Sequence, residues 1–287
     1  MIDAGPYTGR FAPSPSGPLH SGSLLAAVAS FVDARAAGGR WLVRIEDIDP
    51  PREMPGADRL ILETLEQHAL HWDGPVLYQG TRHGRYRAVL DDLLARGLAY
   101  RCACSRARLA GLGHVYDGHC RRHPPADDVP CAIRLQLPER IIHFEDRIRG
   151  PQQQALADGG DCIIHRKDGL FAYQLAVVVD DIDQGITDVV RGCDILESTA
   201  RQVYLTGLLG GTVPRYAHIP LALGPDGQKL SKQNHAPALD NRQASRNLYL
   251  ALATLGQQPP PCLVDETPQS VMEWAITHWD IAGIGGL

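Results

Sequence analysis

The sequence predicts an α/β protein in which buried strands deliver polar side chains to one edge of a sheet. A turn rich in proline and glycine at residues 13–18 leads into an apolar run, residues 24–32, whose spacing is helical. The segment from Arg40 to Ile45 predicts a buried strand, and residues 186–196 predict a second strand that carries Arg191. Because ligands of open α/β sheets collect at the carboxyl ends of such strands, we expect the site there.

Length and composition indicate a globular protein of one large domain or two smaller ones. Of its 287 residues, 44% are hydrophobic and 21% are charged, and no segment is apolar enough to predict a membrane span. The first nine residues lack the charged and then apolar order of a secretory signal, so we expect a cytoplasmic protein. A net charge of −5 excludes a generally basic surface, which argues against a DNA partner and leaves only local contacts for RNA.

The segment RFAPSPSGPLHSGS, residues 10–23, predicts a rigid elbow between a strand and a helix. Ser21 or Ser23 is expected to cap the helix, whose free N–H groups would attract phosphate. Taken alone, the segment could be an ordinary turn. It resembles, however, the ATP-binding HIGH motif of class I aminoacyl-tRNA synthetases, with Ser23 in place of the last histidine. The resemblance implies that His20 and Gly22 contact ATP and act in catalysis.

An acidic segment, EDIDP at residues 46–50, follows the first predicted buried strand. Its spacing alone is also typical of a solvated acidic turn. The string RIEDID is similar to the RxEDTD segment of glutamyl-tRNA synthetases. That resemblance implies that Glu46 holds the α-amino group of the substrate amino acid.

Two helices are predicted next, over residues 56–70 and 88–98. Between them lie Gln79, Arg82 and Tyr86, which match a QxxRxxxY progression of the same family. We interpret these residues as structural, with RNA contact by the arginines as the alternative.

Three of the seven cysteines, Cys102, Cys104 and Cys120, lie within nineteen residues, which favours a metal site over a disulfide framework. Zinc requires four donors, and ligand statistics favour His119 or His123 as the fourth. A cluster of buried thiols without metal is the alternative. The shortened glutamyl-type enzymes carry a CxCx11Yx3C pattern with a tyrosine ligand, which implies one structural zinc on Cys102, Cys104, Tyr116 and Cys120, with His119 as the rival ligand.

Arginines surround this cysteine cluster, and Asp117 is the expected acidic residue that opposes them. They form either a local phosphate-binding patch or a solvated basic surface. The arginines are Arg101, Arg106, Arg108, Arg121 and Arg122. Beyond them, residues 131–137 predict a strand that pairs with a second strand over residues 141–146, and Gly150 with Pro151 is expected to end this pattern.

The segment DDIDQGITDVVRGCDIL, residues 180–196, resembles the glutamyl and glutaminyl branch of the family. The resemblance implies that Arg191, Tyr173 and Arg10 bind the γ-carboxylate of the substrate. Two arginines imply glutamate, because the neutral amide of glutamine would leave a guanidinium unpaired. Without the family, Tyr173 would be interpreted as a core aromatic residue. The resemblance also places the residues after Arg10 in the glutamate pocket: Phe11, Ala12, Pro13 and Ser14.

A glycine-rich loop near residue 225 precedes the string KLSKQ, residues 229–233, which alone is a weak motif. It resembles the KMSKS loop of class I synthetases. The resemblance implies that Lys229 and Lys232 are catalytic and neutralise charge on the phosphates of ATP, with Lys232 as the direct ATP contact and Mg²⁺ on the phosphates.

Four regions are expected along the chain. Residues 1–98 and 161–235 form the two halves of a Rossmann-like catalytic domain, the second half carrying the lysine loop. Residues 99–160 form an inserted lobe of the acceptor-binding type that carries the zinc, and residues 236–287 form a short helical C-terminal region.

The C-terminal region is too short for an anticodon-binding domain. The resemblance covers residues 9–280, and together with the CxCx11Yx3C pattern it narrows to the glutamyl-queuosine tRNA(Asp) synthetases. It implies that glutamate is activated by ATP without tRNA and then transferred to queuosine in the anticodon of tRNA(Asp). Two alternatives stay open: a minimal glutamyl-tRNA synthetase that charges the tRNA 3′ end, and a non-catalytic paralogue that binds an amino acid or RNA.

Overall fold

The computed structural model describes residues 6–113, 115–221 and 237–285. The first half of the chain contains these elements in order: β1 (Thr8–Phe11), α1 (Ser21–Ala36), β2 (Arg40–Ile45), α2 (Ala57–Gln67), β3 (Leu77–Tyr78), α3 (His83–Ala95), β4 (Ala99–Cys102), α4 (Arg106–Ala110), α5 (His119–Arg122) and β5 (Ala132–Leu135). The second half contains β6 (Ile141–Asp146), β7 (Gly150–Ala155), β8 (Cys162–His165), α6 (Tyr173–Asp183), β9 (Asp188–Gly192), α7 (Thr199–Leu208), β10 (Arg215–Ile219), α8 (Ala244–Thr254) and α9 (Pro268–His278).

Two mainly parallel sheets form the centre of the fold. One has the parallel order β1-β2-β3, and the other has the order β7-β6-β10-β9, in which only the β6–β7 pair is antiparallel. The two sheets meet at β1 and β9, where the backbone N–H of Thr187 donates to the carbonyl of Thr8 at 3.0 Å. The carboxyl ends of β1, β2 and β9 therefore lie near one another, as the predicted α/β class requires.

The main hydrophobic core lies on the face of the first sheet that α1 covers. Buried side chains of α1, β1 and β2 pack there with Leu248 and Leu252 of α8 and with Val271 and Met272 of α9. The two α-helices of the C-terminal segment, α8 and α9, thus share this core. Within the described residues, no helix combines the length and the apolar character that a bilayer crossing demands.

The predicted pairing of residues 131–137 with residues 141–146 is wrong. β5 lies between β4 and β8 in a separate antiparallel sheet, whereas β6 pairs with β7 and β10. The β6–β7 hairpin closes through the short turn before Gly150, and the φ of Gly150 is +69°. Such a short loop has a smaller entropic cost of closure than a longer connection would have. Pro151 is the second residue of β7, and it is tolerated there because β7 is the edge strand of its sheet.

Asp180 of α6 is fully buried and joins α6 to the segment before α3 and to α3 itself. Its carboxylate accepts hydrogen bonds from Gln79 Nε2 at 2.8 Å, Arg82 Nε at 2.6 Å and Tyr86 Oη at 2.6 Å. The three residues of the predicted QxxRxxxY progression thus meet at one carboxylate, which confirms their structural interpretation. A second carboxylate, Asp183, binds both Arg82 and Arg85 at the surface.

We expect Asp180→Ala to lower the free energy of unfolding by about 3 kcal/mol, because it leaves a guanidinium, an amide and a hydroxyl without their buried acceptor. Asp183→Ala is the matched control, since it removes a carboxylate that is part of a partly exposed pair, and its cost should stay below about 1 kcal/mol. Urea denaturation followed by circular dichroism measures both values. Equal effects of the two substitutions would contradict the role assigned to Asp180.

Candidate functional site

His20, not Ser21 or Ser23, is the N-cap of α1, so the predicted capping residue is wrong. Its Nδ1 accepts hydrogen bonds from the backbone N–H groups of Gly22 at 3.1 Å and Ser23 at 3.3 Å, and its own N–H donates to Ser23 Oγ at 2.9 Å. Ser23 occupies the third helical position and completes a reciprocal capping box. Because Nδ1 is an acceptor, a neutral His20 carries its proton on Nε2.

A cleft of about 960 Å³ opens beside this helix N-terminus. Its walls come from the elbow, the carboxyl ends of β2 and β9, and the start of α6. The cleft is lined by every described residue that the sequence assigns to the amino acid or to ATP: Arg10, Phe11, Ala12, Pro13, Ser14, His20, Gly22, Glu46, Tyr173 and Arg191. Lys229 and Lys232 lie outside the described residues, so their roles stay predictions.

Glu46 is buried in this cleft with an incomplete set of partners. Its Oε1 lies 3.6 Å from Arg44 Nη2 but has no hydrogen-bond partner among the described residues. Burial raises the pKa of Glu46 to about 7, although Arg44 and Arg10 favour its ionised form. A buried carboxylate oxygen without a donor is suited to receive a cationic N–H group from a ligand.

Arg10 and Arg44 share one carboxylate, Asp181 of α6. Arg10 Nε lies 3.2 Å from Asp181 Oδ1, and Arg44 Nη2 lies 2.8 Å from the same oxygen. Burial opposes the ionisation of Asp181, but the two guanidinium groups outweigh it and hold its pKa below the usual value. Sequence analysis missed Asp181 as a site residue. The signal was the acidic doublet at residues 180 and 181, which ends an apolar helix.

Arg191 differs from Arg10 because its observed acceptors are all uncharged. Nε donates to His218 Nε2 at 3.0 Å, Nη1 to Gln202 Oε1 at 2.7 Å and Nη2 to Thr199 Oγ1 at 2.9 Å. These bonds use three of the five N–H donors of the guanidinium group and leave one on each terminal nitrogen. A buried cation held by neutral acceptors favours an anionic ligand, and two remaining donors suit a carboxylate.

The three cysteines of the predicted metal site come together in the structure. Among the described residues, the sulfur atoms of Cys102, Cys104 and Cys120 lie within 4.8 Å of one another. Tyr116 Oη lies 3.4 Å from Cys102 Sγ and 3.7 Å from Cys104 Sγ, and Cys104 Sγ lies 3.4 Å from Cys120 Sγ. A tetrahedral zinc site separates its donors by about 3.5–3.8 Å, so the four side chains fit one ion.

The rival ligand His119 does not belong to this group of donor atoms. Its ring stacks on His123 with the ring centroids 5.0 Å apart. Sequence analysis missed Arg134 of β5, whose Nε donates to Cys102 Sγ at 3.3 Å and whose guanidinium lies 3.9 Å from the centre of the Tyr116 ring. Burial opposes the ionisation of Cys102, but hydrogen bonds from Tyr116 and Arg134 hold the pKa of this thiol below its usual value.

The arginines around the cysteine cluster are opposed by more than Asp117, so that part of the sequence prediction is wrong. Arg108 pairs with Asp117, but Arg101 pairs with Asp127 at 2.8 Å and Arg121 lies 3.6 Å from Asp161. Asp127 and Asp161 are distant in sequence from the arginines that they face. The expected phosphate-binding patch is therefore smaller than the sequence suggests.

Comparison with known proteins gives a consistent result. A family model described as tRNA synthetases class I (E and Q), catalytic domain, matches residues 7–257. The glutamyl-Q tRNA(Asp) synthetase of Ectopseudomonas mendocina is 54% identical over 277 residues, which are 96% of this chain and 93% of that protein. The protein of the same name from Thiobacillus denitrificans is 56% identical over 283 residues, 96% of this chain and 94% of its own length.

A solved structure has a similar fold. A glutamate tRNA ligase from Elizabethkingia meningosepticum, in complex with its amino acid, superposes with a TM-score of 0.83 at 27% sequence identity. The match covers 98% of this chain but 66% of that longer chain, just under two thirds.

Proposed function

The chain belongs to the glutamyl-Q tRNA(Asp) synthetases, a group within the class I tRNA synthetases for glutamate and glutamine, and on this premise we propose a two-step reaction for it. Membership makes it an ATP-dependent ligase that activates glutamate. In the proposed reaction, glutamate first forms glutamyl-adenylate without tRNA. The glutamyl group then passes to queuosine in the anticodon of tRNA(Asp).

The observation that carries the proposal for glutamate is the polarity of the cleft. Arg191 offers two N–H donors and an undiminished charge, whereas Glu46 offers a carboxylate oxygen without a donor. We assign the γ-carboxylate of glutamate to Arg191, with Arg10 and Tyr173 beside it, and the α-ammonium group to Glu46. Glutamine would place a neutral amide against Arg191 and lose a charge-assisted pair.

The chemistry then requires positioning more than a nucleophilic side chain. An oxygen of the glutamate α-carboxylate bonds to the α-phosphorus of ATP, and the bond between that phosphorus and the pyrophosphate oxygen breaks. We assign the helix N-terminus at His20 and Gly22 to ATP, together with Lys229 and Lys232. In the second step a hydroxyl of queuosine attacks the acyl carbon, AMP leaves, and the hydroxyl proton is released.

The proposal for queuosine as acceptor is supported by the relatives. Three relatives named glutamyl-Q tRNA(Asp) synthetase are 53–56% identical to this chain over 93–95% of their own length. The glutamate tRNA ligase structure shares 27%. Charging of the tRNA 3′ end is the competing function.

We expect ATP–pyrophosphate exchange that depends on glutamate, proceeds without tRNA, and is not supported by glutamine or aspartate. Labelled glutamate should then be transferred to tRNA(Asp) that contains queuosine, and also to the same tRNA after removal of its 3′-terminal adenosine. Queuosine-free tRNA(Asp) is the control. Transfer that requires the terminal adenosine would instead establish 3′-end charging. The absence of exchange with every amino acid tested would favour the non-catalytic paralogue.

We expect the KM for glutamate to be flat above about pH 8 and to rise below it, by up to about tenfold per pH unit at acidic pH, because Glu46 has a pKa of about 7 and binds the ammonium group only as a carboxylate. Glu46→Gln should raise the KM and abolish this pH dependence, which separates Glu46 from other titrating groups. Initial rates of pyrophosphate exchange between pH 6 and pH 8.5 measure both profiles. A wild-type KM that does not change over this range would contradict the assignment.

We also propose one structural zinc per chain, held by Cys102, Cys104, Tyr116 and Cys120. A closed set of four protein donors shapes a lobe and leaves no position for a reacting water. Donor separations near those of a tetrahedron support the set, and the position of Tyr116 Oη favours tyrosine over His119.

We expect the purified protein to contain one zinc per chain, and Cys120→Ser to lose it. Tyr116→Phe should weaken zinc binding by at least about tenfold because one ligand is lost, whereas His119→Ala should retain it. Elemental analysis and competition with a chromophoric chelator measure zinc directly, without reference to activity. The opposite order of the last two variants would identify His119 as the fourth ligand.

A further inference from the structure

Three buried polar residues form a continuous chain across neighbouring strands behind the cleft. Asp146 ends β6, His218 lies in β10 and Arg191 lies in β9, and the strands are adjacent in the order β6-β10-β9. His218 pairs directly with Arg191 in the sheet register. Asp146 Oδ2 lies 2.5 Å from His218 Nδ1, and His218 Nε2 lies 3.0 Å from Arg191 Nε. The sequence motifs assign a role to Arg191 only.

The hydrogen bonds of Asp146 keep it ionised. Its Oδ1 accepts from the backbone N–H groups of Ile148 at 3.0 Å, Arg149 at 2.9 Å and His218 at 3.2 Å. Burial opposes ionisation, but His218 and these backbone donors hold the pKa of Asp146 below its usual value. An ionised carboxylate can only accept hydrogen bonds, so Nδ1 of His218 must carry a proton and donate it in the hydrogen bond to Asp146.

This arrangement fixes the tautomer of His218. With the proton on Nδ1, Nε2 presents a lone pair to the Nε–H group of Arg191. The other tautomer, or a protonated ring, would place two N–H groups against each other. Burial lowers the pKa of His218, which favours the neutral ring despite the contact with Asp146.

We propose that Asp146 and His218 are positioning residues that fix the guanidinium of Arg191 for the side-chain carboxylate of the substrate. This inference rests on the proposed activation of glutamate. Arg10 shares its charge with a carboxylate, Asp181, whereas Arg191 touches a neutral imidazole and the negative charge lies one residue further away. The imidazole orients Arg191 through a directional hydrogen bond but brings no negative charge against it, which leaves the charge of Arg191 for the ligand.

Asp146→Asn tests the tautomer with almost no change of shape. The carbonyl oxygen of asparagine can still accept from the three backbone N–H groups, and its amide then faces His218 as a donor. The proton of His218 moves to Nε2 and opposes Arg191. We expect the KM for glutamate in pyrophosphate exchange to rise by about tenfold or more, the preference for glutamate over glutamine to fall, and the KM for ATP to stay unchanged.

Two substitutions at His218 separate the bond to Arg191 from the bond to Asp146. The amide of His218→Gln reaches the position of Nε2 and can accept from Arg191, whereas the shorter amide of His218→Asn reaches only the position of Nδ1. We expect His218→Gln to retain a KM for glutamate close to that of the wild type and His218→Asn to resemble Asp146→Asn. Poor packing alone would also cost more in the smaller His218→Asn, but it would leave the nearly isosteric Asp146→Asn unaffected. Melting temperatures report packing independently.

Nitrogen-15 NMR of histidine-labelled protein reads the tautomer directly. The wild type should show His218 protonated on Nδ1, and Asp146→Asn should show it protonated on Nε2. Wild-type exchange with glutamate, combined with an unchanged KM for glutamate in Asp146→Asn, would overturn this inference alone. A wild type that fails to exchange with glutamate would overturn the proposed function, and this inference with it.

Discussion

Two adjacent carboxylates near the end of α6, Asp180 and Asp181, hold the site together. Consecutive residues of a helix point about 100° apart, so the two side chains reach different neighbours. Asp180 binds the segment before α3 and α3 itself, through the side chains of Gln79, Arg82 and Tyr86. Asp181 binds Arg10 of β1 and Arg44 of β2. Helix α6 thus holds both Arg10, which lines the cleft, and α3, which packs behind the cleft. Tyr173, the first residue of α6, also lines the cleft.

The charges of the cleft follow from how each arginine is compensated. Arg44 and Arg10 share Asp181, so part of their positive charge is compensated within the protein. Arg191 has neutral acceptors and keeps its charge for the cleft. Glu46 has the opposite sign and an oxygen without a donor. These opposite charges support the proposed binding of an amino acid with an acidic side chain in the cleft.

The cysteine cluster also depends on contacts with residues that are distant in sequence. Cys102, Cys104, Tyr116 and Cys120 are close in sequence, but Arg134 of β5 covers the cluster from the neighbouring strand. Gly160, which is distant in sequence, allows the backbone of Tyr116 to approach closely, since a Cβ at position 160 would lie 2.5 Å from the carbonyl oxygen of Tyr116. Zinc would add one more constraint to a set of contacts that the chain already makes.

The sequence by itself determined the features that are written in short segments. The elbow before α1, the strand that delivers Glu46 and the spacing of the three cysteines with Tyr116 each depend on residues close along the chain, where turn chemistry and periodicity are sufficient. Even there, the cap of α1 was misassigned, because histidine is not a usual capping residue and only the structure shows Nδ1 at the backbone N–H groups.

The tertiary structure decided which strands pair and which charges meet. The pairing of β6 with β10, the contact of Asp181 with Arg10 and the chain from Asp146 through His218 to Arg191 join residues that are tens to more than a hundred positions apart. No local pattern specifies such contacts, because a buried charge finds its partner only when packing brings distant segments together. The sequence predicted residues that line the cleft, and the tertiary structure determined which residues hold them in place.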